Sequence, residues 1–316
     1  MHFDMMIFDA HCDTASEILD IKAGLRTNSC HADLERIHSA GSWVQVFAAF
    51  VDPVEYRSCE LRRALQIIDN IYRQAEANSD LMTVCTSVGE INRTVGENKL
   101  AALISIEGGE ALQGELAALR MFYKLGVRSL CLTWNYRNEL ADGAREEASA
   151  GGLSAFGRSV VEEMNRLGML VDVSHISEKG FWDVLERSKS PVIASHSNSK
   201  AVCSHPRNLT DDQFKALKAN GGVAGINLYP HFLNKTEAAS IDDIIRHIEH
   251  IVAITGEDHI GLGCDFDGIE CTPGDIKGVQ DIHKIFERLL SLNYSQEFIE
   301  KFACGNFMRA VTEVIG

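Results

Sequence analysis

Positive charge is scarce in this chain. Its 30 lysines and arginines face 45 aspartates and glutamates, a net charge of −15. That balance argues against nucleic acid or an anionic membrane surface as a partner, because each needs a basic patch. No apolar run approaches the roughly 20 residues that span a bilayer. The opening MHFDMMIFDAHCD lacks both the basic start and the apolar stretch of a secretory signal. None of the nine cysteines forms a CxxC pair or a zinc-finger spacing. An odd, scattered set in an unexported chain reads as reduced thiols, which points to the cytoplasm. No Gly-rich phosphate loop follows the first apolar run, which removes the dinucleotide-binding reading. There is no repeat, low-complexity tract or linker. The 316 residues are taken as a single domain, 1–316, with the segment 137–152 (RNELADGAREEASAGG) as its expected flexible loop.

Hydrophobic residues make up 45% of the chain and charged residues 24%, enough apolar material for a large core. Eight apolar runs recur: IFDAHCD, WVQVFAAFV, AALISIEGG, VRSLCLTW, LVDVSH, VIASHS, GVAGINLY and HIGLGCDFD. Near-continuous apolarity is what parallel strands covered on both faces require. Between them lie amphipathic stretches at 60–78, 114–126, 154–168, 177–189, 210–221 and 241–256, several starting at Ser, Thr or an Asp pair and stopping at Gly. Eight strands alternating with helices predict an α/β fold, a (β/α)8 TIM barrel, over an open sheet.

Polar residues sit where such a barrel builds its sites. Five of the eight runs carry His, Asp or Glu at or near their end, at the carboxyl edge where all strand ends converge on one mouth. His11 and Asp13, at i and i+2, project to the same face. Glu107 closes the third run, His175 the fifth, His196 the sixth and Asp265 the eighth. One such residue alone is more often a loop cap; six on one rim make a functional cluster the better reading. Three imidazoles and three carboxylates suit zinc and, less well, manganese or iron. His31, His38, His247, His250, His259 and His283 lie in helical or flanking stretches and read as surface or packing residues. The thiols read as filler, including Cys12, which points away from its neighbours.

These residues fall within a longer pattern. DAHCDT (9–14), SIEGGEAL (105–112), LCLTWNY (130–136), LVDVSHIS (170–177), VIASHSNS (192–199), HPRNLTD (205–211), GINLY (225–229), GLGCDFDG (261–268) and GNFMR (305–309) resemble, in order, the motifs of the membrane dipeptidase (renal dipeptidase) family. The resemblance implies a metal-dependent barrel that cleaves small dipeptides, with two zinc ions bridged by a carboxylate and a hydroxide. It implies that His11, Asp13 and Glu107 hold one ion, and Glu107, His175 and His196 the other. Arg207 would take the carboxylate end of the substrate, Asp265 would act near the scissile nitrogen and the substrate's amino group, and Tyr229 of GINLY would line the substrate pocket. The chain departs from the family at Trp134, where many relatives have a histidine thought to polarise the scissile carbonyl. Indole offers only an N–H donor and cannot become cationic, so Trp134 is read as lining the pocket and setting substrate range. The chain resembles the family's soluble bacterial branch, and a homodimer is left open. Two other readings stand beside the dipeptidase: an amidohydrolase acting on another amide or a lactone, and a catalytically silent metal-binding barrel.

Overall fold

The computed structural model describes residues 5–146, 151–236 and 238–316. Residues 147–150 of the segment expected to be flexible lie outside the described residues, as do the first four of the opening segment. Nine strands form: β1 (Ile7–Cys12), β2 (Trp43–Phe50), β3 (Met82–Val84), β4 (Leu100–Glu107), β5 (Val127–Cys131), β6 (Leu170–Asp172), β7 (Val192–Ala194), β8 (Val223–Ile226) and β9 (Ile260–Leu262). The pairings are parallel throughout. They run from β2 through β1, β9, β8, β7, β6 and β5 to β4, and β4 pairs back onto β2. Eight strands thus close a barrel, and the expected (β/α)8 fold is the one observed. The additional strand, β3, lies against the first residues of β4, where Met82 faces Leu100. Three residues are too few to show a period, which is why the sequence does not betray it.

Burial explains the apolar runs. Every residue of β1, β4, β6, β7, β8 and β9 is buried. Helices Glu60–Ala77, Leu116–Lys124, Ala155–Leu167, Glu178–Arg187, Asp211–Ala219 and Ile241–Thr255 occupy the six expected amphipathic stretches. Two of them begin directly after site loops and are fixed there by caps. The Ser177 hydroxyl accepts from Gly180 N at 3.1 Å, and Thr210 and Gln213 form a reciprocal capping box. At the end of the barrel where the strands begin, Phe8, Val46, Leu103, Ile193 and Val223 pack with Phe307 and Val311 of the helix Asn306–Ile315. The Phe307 ring stacks on Phe8 at 5.3 Å.

Two expectations are corrected. The apolar runs predict strands that end in the site residues, but β6 stops at Asp172, β7 at Ala194 and β9 at Leu262. His175, His196 and Asp265 therefore stand in the loops just beyond. His175 and Asp265 take left-handed backbone angles, φ 65° and 61°, which a strand cannot continue and which cost energy in a non-glycine residue. The described part of the segment expected to be flexible is anchored. Ala144 N donates to His175 O at 2.6 Å, Arg145 N donates to Asn135 O at 2.9 Å, and Asp142 is buried.

Glycines set how closely the β7, β8 and β9 ends meet. An added Cβ at Gly263 would lie 1.7 Å from the Ser195 carbonyl oxygen, and one at Gly225 2.0 Å from the same atom. Gly263→Ala should therefore overpack the rim beside His196 and cost about 1–3 kcal/mol in urea unfolding. Gly96→Ala, with nothing within 4 Å of the new Cβ, should stay within about 0.5 kcal/mol of the parent or gain stability. Equal behaviour of the two variants would refute this account of the rim.

Candidate metal centre

The strand ends and the loops just beyond them bring six of the expected residues into one buried cluster. His11 comes from β1, at a register irregularity between Asp9 and Cys12, and Asp13 follows it. His11 Nε2 lies 3.3 Å from Asp13 Oδ2 and 3.2 Å from Glu107 Oε2. Across the cluster, Glu107 Oε1 lies 2.9 Å from His175 Nε2 and 3.8 Å from His196 Nε2. Glu107, the last residue of β4, so presents one oxygen to each side. Ligand atoms within 4.8 Å of one another form three overlapping groups: His11, Asp13 and Glu107; Glu107, His175 and His196; and His11, His196 and Asp265.

The donor set fits a cation. His11 Nε2 and Asp13 Oδ1 are buried without a hydrogen-bond partner, because the contacts of His11 to the carboxylates lack hydrogen-bond geometry. Such orphaned groups are costly unless something else satisfies them. The facing nitrogens of His175 and His196 stand only 2.8 Å apart. Their outer nitrogens are spoken for. The Asn135 carbonyl oxygen accepts from His175 Nδ1 at 3.1 Å. The Ser195 hydroxyl donates to Asp172 and therefore accepts from His196 Nδ1, 2.7 Å away. Both protons are on Nδ1, so two Nε2 lone pairs point at each other, an arrangement that an ion between them relieves.

Electrostatics agree with this. Burial, with Arg207 nearby, pushes His175 down to about 3, and burial with His11 and His175 pushes His196 well below its usual value. Both imidazoles are thus neutral, as ligands must be. Burial works against charge on His11, but Glu107 and Asp13 outweigh it and raise its pKa. Burial also opposes the Glu107 carboxylate, which His11 and His175 nevertheless hold far below the usual range. Burial lifts Asp13 to about 6 despite His11. Asp265 is pushed up to about 8 by burial and by the nearby Asp13 and Glu107; a cation in the cluster would oppose that rise. Its Oδ2 accepts from Asn227 Nδ2 at 2.7 Å, and its Oδ1 lies 3.9 Å from His11 Nε2.

The remaining expected residues border this cluster. Arg207 is 4% exposed, donates from Nη2 to His196 O at 3.3 Å and leaves Nε without a partner. A cavity of about 520 Å³ opens beside it, lined by Trp134, Tyr229, Asp265 and His175 among others. On the other side a cavity of about 240 Å³ is lined by Asp13, Glu17, Asp20, Tyr56, Glu107 and again Trp134. Trp134 stands where the two meet, its ring 5.3 Å from Phe50 and 6.5 Å from His175.

Four residues that orient the cluster were not foreseen. Asp9, fully buried, accepts from Cys264 N at 2.8 Å and Gln45 Nε2 at 3.1 Å, tying β1 to the loop that carries Asp265. Asp172 accepts from Ser174 N at 2.9 Å and Ser195 N at 3.0 Å, holding both histidine loops. With Ser195 and Asn135 they complete the set. The signal was present for the two aspartates: a carboxylate inside an apolar run has to find donors.

A model of the membrane dipeptidase family (peptidase family M19) matches residues 1–315. The chain belongs to the membrane dipeptidase family. An uncharacterized dipeptidase of Schizosaccharomyces pombe is 35% identical over 309 residues, covering 92% of this chain and 73% of that protein. Human dipeptidase 3 is 35% identical over 286 residues, 89% of this chain; the match spans 58% of the human protein. A metallopeptidase from Rhodobacter sphaeroides, solved with a phosphinate mimic of the dipeptide L-Ala-D-Ala, superposes with a TM-score of 0.91 at 27% identity, covering 99% of this chain and all of that one. Asn135, Ser195 and Asp172 thus orient the two buried histidines of a metallopeptidase-family barrel.

Removing such an orienting partner weakens metal affinity about 10- to 100-fold. Ser195→Ala, which frees His196 Nδ1 while keeping the fold's volume, should show a loss of that size in chelator-competition titrations. Unchanged affinity would mean that the Asp172–Ser195 pair only joins β6 to β7.

Proposed function

We propose that this protein is a zinc dipeptidase with two ions, one held by His11, Asp13 and Glu107 and the other by Glu107, His175 and His196. The observation that carries the reading is Glu107, whose two oxygens lie 3.2 Å from His11 on one side and 2.9 Å from His175 on the other. Three imidazoles with carboxylates are a zinc-preferring set. When bound, the ions supply a water made nucleophilic near neutral pH and a Lewis acid for the scissile carbonyl.

The chain's own residues do the rest. Arg207, buried and with Nε unpartnered, offers a planar fork for the free carboxylate of a dipeptide. A neutral amide or lactone gives that fork nothing to hold, which favours the dipeptidase over a general amidohydrolase. The intact ligand set weighs against a silent barrel. Asp265 takes the proton of the attacking water at Oδ1 and delivers it to the departing amine, while Asn227 steadies Oδ2. Trp134 and Tyr229 line the substrate space, and Trp134 narrows it where a cationic side chain is absent. All nine cysteines are free, and among the described residues no helix is long and apolar enough to cross a membrane. Free thiols suit a reducing compartment, and we read the chain as a cytoplasmic enzyme with a single domain over 1–316.

Elemental analysis of the purified protein should find close to two zinc equivalents, with activity lost to a chelator and restored by zinc. Full activity at one equivalent would discard the two-ion reading. Glu107→Gln should lower occupancy at both positions, whereas His196→Ala should empty mainly one.

Dipeptides with an amidated C-terminus should be cleaved more slowly by the equivalent of about 1.5–3 kcal/mol, the worth of a charge-assisted contact. Arg207→Ala should treat free and blocked substrates alike. In the same panel Trp134→Ala should reorder kcat/KM among dipeptides without changing metal content; a uniform drop with a lower Tm would make Trp134 a packing residue. A wild-type preference for neutral amides or lactones would replace the dipeptidase assignment.

A further inference from the structure

The two cavities that meet at Trp134 carry opposite charge. The smaller is lined by Glu17, Asp20, Asp52 and Glu55 against the single cation Arg63, and it repels an acidic residue. The larger contains Arg145, Arg207 and Lys235, facing Glu270 at its rim and Asp265 at the metal end. At about 520 Å³ it holds far more than the carboxylate that Arg207 would grip.

Arg145 is built into this cavity. An added Cβ at Gly143 would lie 2.4 Å from the Trp134 carbonyl oxygen, so the loop lies flat on the Trp134–Asn135 backbone. Arg145 N is bonded to Asn135 O. Its Nη1 donates to the Tyr136 hydroxyl at 3.2 Å, and Tyr136 stands edge-on to Trp134 with centroids 5.9 Å apart. Among the described residues neither Arg145 nor Lys235 has a carboxylate within ion-pair distance. Their combined field is felt nearby. Burial first, then Arg207, Arg145, His231 and Lys235, push His205 down to about 4, so it stays neutral. With Nδ1 accepting from Arg207 N at 3.2 Å, its proton sits on Nε2, adding a donor to the cavity wall.

We propose that this cavity receives the C-terminal residue of the dipeptide and selects an acidic side chain, aspartate or glutamate, with Arg145 and Lys235 as its pairing cations. The proposal rests on the dipeptidase reading and adds the substrate class. Arg207 is occupied by the main-chain carboxylate, so the second negative charge falls to the other two cations that line the cavity, Arg145 and Lys235. The acidic cavity fixes the direction of binding, drawing the amino end and turning an acidic residue away.

The test is a set of dipeptides sharing one N-terminal residue and ending in Asp, Asn, Glu, Gln or Ala, in both hands, with metal-replete enzyme. kcat/KM should favour Asp over Asn and Glu over Gln by about ten- to hundred-fold, the usual worth of a charge-assisted contact. The Arg145→Gln/Lys235→Gln double variant should bring both ratios close to one. Each ratio is read within one preparation, so a misfolded fraction cancels. Equal cleavage of Asp- and Asn-ending substrates by the wild type, with the Ala-ending one cleaved, overturns the proposal and leaves the dipeptidase intact. A preference that survives in the double variant overturns the assignment to Arg145 and Lys235. Failure to cleave any of the set, Ala-ending included, overturns the dipeptidase reading itself and the substrate class with it.

Discussion

Like charges and lone pairs crowded into one dry space are the condition to which the rest of the protein answers. Glu107, Asp13 and Asp265 share a pocket with three imidazoles, and all six are at most 7% exposed. Without a cation such a cluster opposes folding, since buried charge is tolerated only when paired. The chain accepts that opposition in three ways. Against its burial, Glu107 and Asp13 raise the His11 pKa; burial keeps those of His175 and His196 low; and the left-handed backbone at His175 and Asp265 is over-determined by the loops around it. Hydrogen bonds accepted by Asp9, Asp172, Ser195 and Asn135 hold the cluster in one arrangement, and the barrel closure supplies a frame stiff enough to keep it.

Much of this was legible in the sequence, and the parts that were not share a cause. The eight barrel strands show because burial on both faces leaves near-continuous apolar runs. The residues of the buried cluster show because each is a polar group at or near the end of such a run. Whether His175 lies in the strand or three residues beyond it does not show, because apolar Val173 carries the pattern past Asp172, the last residue of β6. β3 is too short to leave a trace. Ser195 and Asn135 are invisible because small polar residues beside loops are ordinary, and their role depends on partners far along the chain. The family pattern supplied what local chemistry could not, above all the expectation that Arg207 takes a substrate carboxylate.

The segment 137–152 is the instructive case. By composition it is polar and Gly-rich, the mark of a loop free to move, and residues 137–146 are instead held against the site. Arg137 engages Asp142, Asn138 Nδ2 donates to Leu132 O at 2.9 Å, and Gly143 is there for contact with the Trp134 backbone rather than for freedom. Glycine serves close approach as well as flexibility, and composition alone does not tell the two apart.

Barrel closure has a temporal side. β1 meets β9 through Asp9 and Leu262, and Asp265 joins His11 only once that pairing exists. Contacts so distant along the chain form late and slowly. During synthesis the chain emerges in order, so an unfinished polypeptide can expose His11, Asp13 and Glu107 but has no mouth in which to assemble them. The buried cluster is therefore complete only near the end of translation, and a chain cut short before β9 would leave the ribosome with most of the cluster's residues made and its rim unclosed.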